Sequence, residues 1–512
     1  MPFDPFPYIA PPGLTAPEAR HKAVIIGAGP VGLALAVDLA QQGIAVTVLD
    51  DNNTVSVGSR AICWSKRSLE ILDRLGVGEQ CLAKGVIWKV GRTYHRENEV
   101  FNFDLLPESG HKMPAFVNLQ QYYVEDFLAQ RAIALGVNLR WMNKVTGLTQ
   151  KPDHVALQIG TPDGPYDLIA DWVIACDGAR SPVRGLLGLD FDGELFEERF
   201  LIADIKMQAD FPSERRFWFE PGFHNGQSAL LHKQPDDIYR IDLQLGWDSD
   251  PEVEKRPERI IPRIEKVVGH KDFTLDWTSI YTFQCRRLQK FVHDRVIFAG
   301  DSAHVVSPFG ARGGNGGLQD VDALGWRLAA VVKGQASAAL LAAYDRERCF
   351  GADENLLNSS RSTRFMSPAA GAERLFRDAV LALASQADFA RPMVNSGRLS
   401  RPCIYPASGA DDPALPAGSR PGAIAPDAPL MDGWLSETLR GGMTVLTLNC
   451  AAPDCGLRVL RPDMNAALAQ RFLGGAAQAI YLIRPDQVIA ARWTQADAAA
   501  IRAATTAIWE GI

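Results

Sequence analysis

The chain has 512 residues, 47% of them hydrophobic, and a formal net charge of −7 at pH 7 with both signs interspersed. That length accommodates about two to four cored domains, and the mixed charge excludes nucleic acid as the main partner. No apolar run is long enough to cross a bilayer and no secretory leader is visible, so no membrane partner and a cytoplasmic location are expected. The eight cysteines are scattered, with no CxxC pair and no histidine cluster beside them. Neither a disulfide framework nor a metal site is expected.

Residues 1–19 are proline-rich and read as a flexible arm. An apolar strand over 23–26 runs into Gly27-Ala-Gly29-Pro30-Val-Gly32. A helix follows over 33–42, then a strand over 45–49 that ends at Asp50. Gly27 permits the tight turn, Gly29 lets the backbone approach a pyrophosphate, and Gly32 lets the helix sit close to the sheet. Asp50 stands at the distance expected of the acid that binds an adenosine ribose. A helix is predicted over 65–75, after Arg60, and another over 122–136, opened by Gln121. A second short apolar strand, from Asp171, ends at Asp177-Gly178.

Residues 191–282 read as strands, among them 215–219, 228–234 and 238–245, with a turn at Pro235-Asp-Asp237. Along 238–245, Tyr239, Ile241, Leu243 and Leu245 share one face. Arg240, Asp242 and Gln244 share the other, which lines a cavity or faces water. A third apolar strand over 296–298 ends at Gly300-Asp301. The loop Pro308-Phe-Gly310-Ala-Arg-Gly313-Gly314-Asn315 follows, and a helix is predicted over 318–332. Asp301 is a candidate acceptor for ribityl hydroxyls. The N–H groups of Gly314 and Asn315 near a helix start suit the electron-rich end of a reduced flavin. Residues 366–401 read as helical and 402–426 as a linker. Strands near 443–448, 479–483 and 488–493 and a last helix complete the chain.

The order GxGxxG, Asp-Gly, Gly-Asp resembles the FAD-dependent aromatic hydroxylases, in particular the 3-(3-hydroxyphenyl)propionate hydroxylase-like branch. The segments Gly58-Ser-Arg60-Ala-Ile-Cys, Arg216-Phe-Trp-Phe219 and Pro308-Phe-Gly-Ala-Arg-Gly-Gly-Asn315 carry the resemblance. It implies an α/β fold: a Rossmann-like FAD-binding domain (20–190 and 283–365), an inserted antiparallel substrate sheet (191–282), and a thioredoxin-like domain (427–512). It further implies FAD, NADH or NADPH as co-substrate, a small phenolic substrate, and O2 activated as a flavin C4a-hydroperoxide. Arg60, Gln121, Asp177 and Gly178 carry over as FAD contacts, the last two implicated in NAD(P)H use. Loss of the phenolic proton requires an acceptor. His232 is the candidate, with Arg240 and Asp242 on the neighbouring strand, and Trp218, Phe219 and Tyr281 are candidate pocket aromatics. A homodimer is the expected assembly. Two other readings stay open: a related epoxidase or reductase acting on a non-phenolic substrate, and a non-catalytic flavin-binding scaffold.

Overall fold

The computed structural model describes every residue except 1, 2, 59, 225, 226, 247, 248, 395–398, 407, 408, 452 and 512, and the side chains of 197 and 198. Strands His21–Ile26, Val46–Leu49, Gly164–Ala175 and Val296–Phe298 lie parallel in one sheet. Their inner residues are buried, as unbroken apolar runs between helical layers require. Ile26 is in register with Ala175 and Leu49, and Ala175 with Phe298. The carboxyl ends of all four strands therefore line up along one edge. Helices Pro30–Gln41 and Gly313–Val332 pack against each other beside this sheet. Two glycines make the approach possible. Gly27 has φ of +104°, and a Cβ there would lie 2.4 Å from the Cys176 carbonyl oxygen. A Cβ on Gly32 would lie 2.0 Å from the Gly27 oxygen.

The second sheet takes its strands in the order 304–305, 274–287, 192–206, 238–245, 229–233, 214–219, 90–95 and 98–104. It thus extends beyond 191–282 at both ends of the chain. Strand Val90–His95 pairs in parallel with Glu214–Phe219, and Val90–His95 and Asn98–Asp104 form a hairpin. Period-2 alternation splits its faces. Tyr239, Ile241, Leu243 and Leu245 pack on Ile260 and Ile264 of helix Pro257–Val268. The opposite face carries Arg240 and Asp242, both buried, so it is not turned to bulk water. Phe200, Phe217, Phe219 and Phe283 join one aromatic cluster there with Phe309.

Three boundaries differ from the sequence reading. The arm expected to be flexible is docked: Phe6 stacks on Trp141 at 4.5 Å, and Arg140 pairs with Glu18 at 2.6 Å. Residues 402–426 are not a loose linker either. Gly422 N–H donates to the Ile489 carbonyl and Ala425 N–H to that of Gln487, both at 2.8 Å, and Leu415 and Ala425 are buried in the C-terminal core. The helix expected from 318 starts at Gly313. Between 366 and 401, helix Ala372–Ala384 and a 3-10 segment Asp388–Val394 are described. No helix among the described residues is long and apolar enough to cross a membrane.

The last sheet runs Arg458–Leu460, Thr444–Leu448, Ala479–Ile483, Ile489–Trp493, followed by helix Ala498–Trp509. Buried charges hold it to the first domain. Arg67 donates to Gln487 Oε1 and to the Asp486 carbonyl, each at 2.8 Å, and pairs with Asp322. Glu347 receives Arg484 at 2.6 Å and Arg327 at 2.8 Å. Burial opposes charge on Asp486, but Arg484 outweighs it and holds the carboxyl at about 2. Removing one member of such a set leaves its partners charged and dry, a loss of about 3 kcal/mol. Arg67→Ala is therefore expected to lower unfolding stability by about that amount. An unchanged urea midpoint would show that these charges do not clamp the two parts.

Candidate functional site

The aligned strand ends bring the three glycine–aspartate segments together. Gly27 N–H donates to the Leu49 carbonyl at 2.8 Å and Ala28 N–H to Asp50 Oδ2 at 2.6 Å. Asn52 N–H donates to Asp50 Oδ1 at 2.8 Å. Burial raises the Asp50 carboxyl, and these backbone donors pull it back. Each oxygen keeps a lone pair for a hydroxyl. Gly29 caps the helix that starts at Pro30, and a Cβ on Gly29 would meet nothing within 4 Å. Gly32, by contrast, is filled tightly by protein. Asp177 Oδ2 accepts from Val183 N–H at 3.0 Å, while Gly178, at φ +78°, borders open space. Arg184 turns back to the Ala179 and Ser302 carbonyls and covers Phe191.

Asp301 stands on the 3-10 turn after Val296–Phe298 and is exposed. Protein close around it raises its carboxyl, with His304 and Arg60 pulling the other way. Among the described residues no protein donor binds this carboxylate, so it is available for hydroxyls. Arg60 is exposed, and its carbonyl accepts from Arg240 Nη1 at 2.8 Å. Gln121 Oε1 accepts from Ala61 N–H at 3.1 Å, and its Nε2 donates to Glu125 at 2.8 Å. Gln121 thus braces the 60–62 loop and retains one amide hydrogen.

Because the helix begins at Gly313, the N–H groups of Gly313, Gly314 and Asn315 fall in its first turn, where they have no intrahelical partner. The Asn315 side chain is fully engaged: Oδ1 accepts from Ser65 N–H at 2.9 Å, and Nδ2 donates to the Cys63 and Ala311 carbonyls. Only its backbone can serve a ligand. Pro308 is exposed, and Gly310 adopts φ of +91° in the loop.

Sequence reasoning missed what fixes this loop. Asp320 is fully buried; its Oδ2 accepts from Gly300 N–H at 2.8 Å and meets His304 Nε2 at 2.7 Å. Arg348 Nε donates to Asp320 Oδ1 at 2.6 Å, and Arg348 also reaches the Tyr405 hydroxyl and the Gly316 carbonyl. Burial disfavours the charged carboxyl, yet His304 and Arg348 outweigh it and hold it at about 2. No local spacing announces a cluster assembled from four distant segments.

On the second sheet, a cavity is lined by Arg215, Phe217, Phe219, Phe309 and Gly310, among others. Phe219 is among the residues lining this cavity, whereas Trp218 points to the other face, as alternation demands, and stacks on Tyr94. Tyr281 packs at the edge of the aromatic cluster. His232 and Arg240 are cross-strand neighbours, and Arg240 Nε donates to Asp242 at 2.8 Å. His232 is buried beside Arg215 and Arg240; burial first, then those two charges, push it well below the usual histidine range. An imidazole so held is a weak base. Sequence spacing marks Arg215 only as part of a strand. A charged residue on the inward face of an aromatic strand was the available signal.

Asp320→Asn is expected to cost about 3 kcal/mol, since Arg348 would lose its buried counter-charge. In the parent protein the carboxyl lies lower folded than unfolded. Its contribution is therefore complete above about pH 4 and drains away as pH falls toward 2. Urea unfolding of both proteins across that range checks this; a difference that does not shrink with acid would contradict it.

The chain matches the family described as FAD binding domain over residues 20–358. A flavin-dependent monooxygenase of Mycobacteroides abscessus is 30% identical over 489 residues, covering 91% of this chain and 96% of that protein. A 3-(3-hydroxy-phenyl)propionate/3-hydroxycinnamic acid hydroxylase of Mycolicibacterium smegmatis is 29% identical over 364 residues, 71% of this chain and 64% of its own length. The crystal structure of the flavin-dependent monooxygenase PieE in complex with FAD and substrate shares the fold, with a TM-score of 0.81 at 20% identity over 97% of this chain and 100% of that one. A matched domain spanning most of the chain, and a relative aligned nearly end to end, place this protein among the FAD-dependent aromatic hydroxylases, the flavoprotein monooxygenases.

Proposed function

We propose that the protein uses NADH or NADPH and O2 to hydroxylate a phenolic aromatic compound, inserting one oxygen atom into a ring C–H bond and releasing the other as water. One observation carries this reading. The aromatic cavity is walled by Phe309 and Gly310, which belong to the same loop that runs from Asp301 into the Gly313 helix start. A ring held there would lie beside whatever that helix start holds.

The residues present fit FAD. Gly27, Gly29, Pro30 and Gly32 would seat the pyrophosphate, with the open space at Gly29 as the point of approach. Asp50 would take the adenosine ribose, and Arg60, Gln121, Asp177 and Gly178 would flank the middle of the molecule. Asp301 would accept the ribityl hydroxyls. Pro308, Gly310, Gly313, Gly314 and Asn315 would border the flavin ring. Bound there, FAD supplies electron transfer from the nicotinamide to O2 and the activation of that oxygen.

The chain's own residues then do three things. The N–H groups of the Gly313–Asn315 turn offset negative charge next to them. Phe217, Phe219 and Phe309 exclude water from the reacting volume. Arg240, braced by Asp242, holds the Arg60 loop through its carbonyl. Arg240 and Asp242 are therefore positioning residues in this reading, and His232, pushed well below the usual histidine range by burial and the nearby arginines, lies beside them. The C-terminal sheet, read as thioredoxin-like, is a structural support; Cys450 Sγ contacts the Ala479 carbonyl.

Gly29→Val and Asp301→Ala should both fold, with FAD content lowered about tenfold or more, the scale of one lost charged hydrogen bond or a blocked approach. Gly32→Val should not fold, because its Cβ has no room. Full flavin content in either of the first two would count against these placements. For the reaction, a series of phenolic acids is tested for stimulated NADH and NADPH oxidation, with mass analysis of the product. Phenol-dependent oxidation and a gain of one oxygen are expected. Oxidation that no phenol stimulates would redirect the assignment to epoxidation or reduction, and purified protein that cannot be reconstituted with FAD would redirect it to a scaffold.

A further inference from the structure

Arg215 lies on strand Glu214–Phe219, one position along from the Arg216–Leu231 pair, which sets it opposite His232. His232 in turn pairs with Arg240, and Arg240 with Asp204, so a polar row crosses the aromatic face of the sheet. The acids near Arg215 are already committed. Glu214 binds Arg92 at 2.7 Å and Arg216 at 2.9 Å, and Asp242 binds Arg240 at 2.8 Å. Arg215 itself forms no ion pair among the described residues, and its Nε is buried without a hydrogen-bond partner. Arg215 lines the cavity together with Phe217, Phe219, Phe309 and Gly310. A guanidinium keeps its charge throughout the accessible pH range. Desolvating it among phenyl rings is costly unless a counter-charge arrives.

We propose that Arg215 is the anchor for an anionic oxygen group on the substrate, and that it sets the specificity of the cavity for negatively charged aromatic compounds. The planar fork of Arg215 suits two oxygens, or one oxygen shared by two N–H groups. The flanking phenylalanines hold the ring that carries them. Burial also pushes the Arg215 guanidinium down from its ordinary range, with the Asp242 charge acting the other way, which agrees with a cation short of partners. The anionic oxygen has two possible sources: a carboxylate substituent, or the ionised ring hydroxyl.

This inference rests on the proposed function for where the flavin lies, and the test separates the two. FAD-loaded enzyme, R215Q and R215K are titrated with benzoate, 3-phenylpropionate and 2-naphthoate, and with their primary amides, following the flavin absorbance and tryptophan fluorescence. In a second arm 4-nitrophenol is titrated across pH, reading its phenolate absorbance. FAD content and NADPH oxidation are measured on the same samples, so a misplaced flavin is detected independently. If the anion is a carboxylate, the acids should bind about tenfold tighter than the amides. R215Q should erase that preference with amide binding unchanged, and R215K should retain part of it. If the anion is the ring oxygen, bound 4-nitrophenol should ionise about one pH unit lower in the parent than in R215Q. Either pattern supports the assignment. Equal behaviour of the parent and R215Q in both arms, or no binding by any probe, would overturn it.

Discussion

A single buried carboxylate organises the cleft. Asp320 receives the Gly300 N–H at the end of one parallel strand, His304 from the following turn, and Arg348 from a helix further along the chain. Arg348 extends the set to the Gly316 carbonyl, in the first turns of the helix that starts at Gly313. Gly300 and Gly317 also close on Val31, just past the first glycine loop. The two ends of a dinucleotide cleft, some 270 residues apart in sequence by the numbering of Val31 and Gly300, are thereby locked in one geometry. In so dry a place the charge on Asp320 survives because Arg348, His304 and the Gly300 N–H together outweigh the cost of burial.

Around that fixed cleft the second sheet divides its labour by face. Its outer side is closed by the Pro257–Val268 helix, and its inner side offers phenylalanines and a polar row. Burial decides what those polar groups can do. Burial and two neighbouring cations push His232 well below the usual histidine range, Arg240 pairs with Asp242, and among the described residues no acid forms an ion pair with Arg215.

The C-terminal sheet is tied into the same body. Arg67, at the start of the helix after Trp64, reaches Gln487 and Asp486, while Arg327 and Arg484 converge on Glu347. Arg67 sits a few residues from Ser65, which is bonded to Asn315. The tail is thus linked through Arg67 to the segment that holds Asn315, and the proline-rich stretch before it is a strap packed along the sheet.

The nucleotide-binding core was legible because its rules are local. Unbroken apolar strands, glycines at turn spacing and a carboxylate at each strand end can be read within a few residues of one another, and they fixed Gly27, Gly29, Gly32, Asp50, Asp177 and Asp301 as candidates. Alternation alone also assigned the two faces of strand Ile238–Leu245. The arm, the strap, the Asp320 cluster, the burial of His232 beside two arginines, and an Arg215 with no ion pair among the described residues were not legible. Each depends on which distant side chains share a dry volume, and desolvation and Coulomb energy are properties of that volume. The sequence by itself determined a dinucleotide-type sheet and the residues at its edge. Only the tertiary structure decided which buried charges are paired, because pairing is made by packing across hundreds of residues and leaves no spacing in the chain.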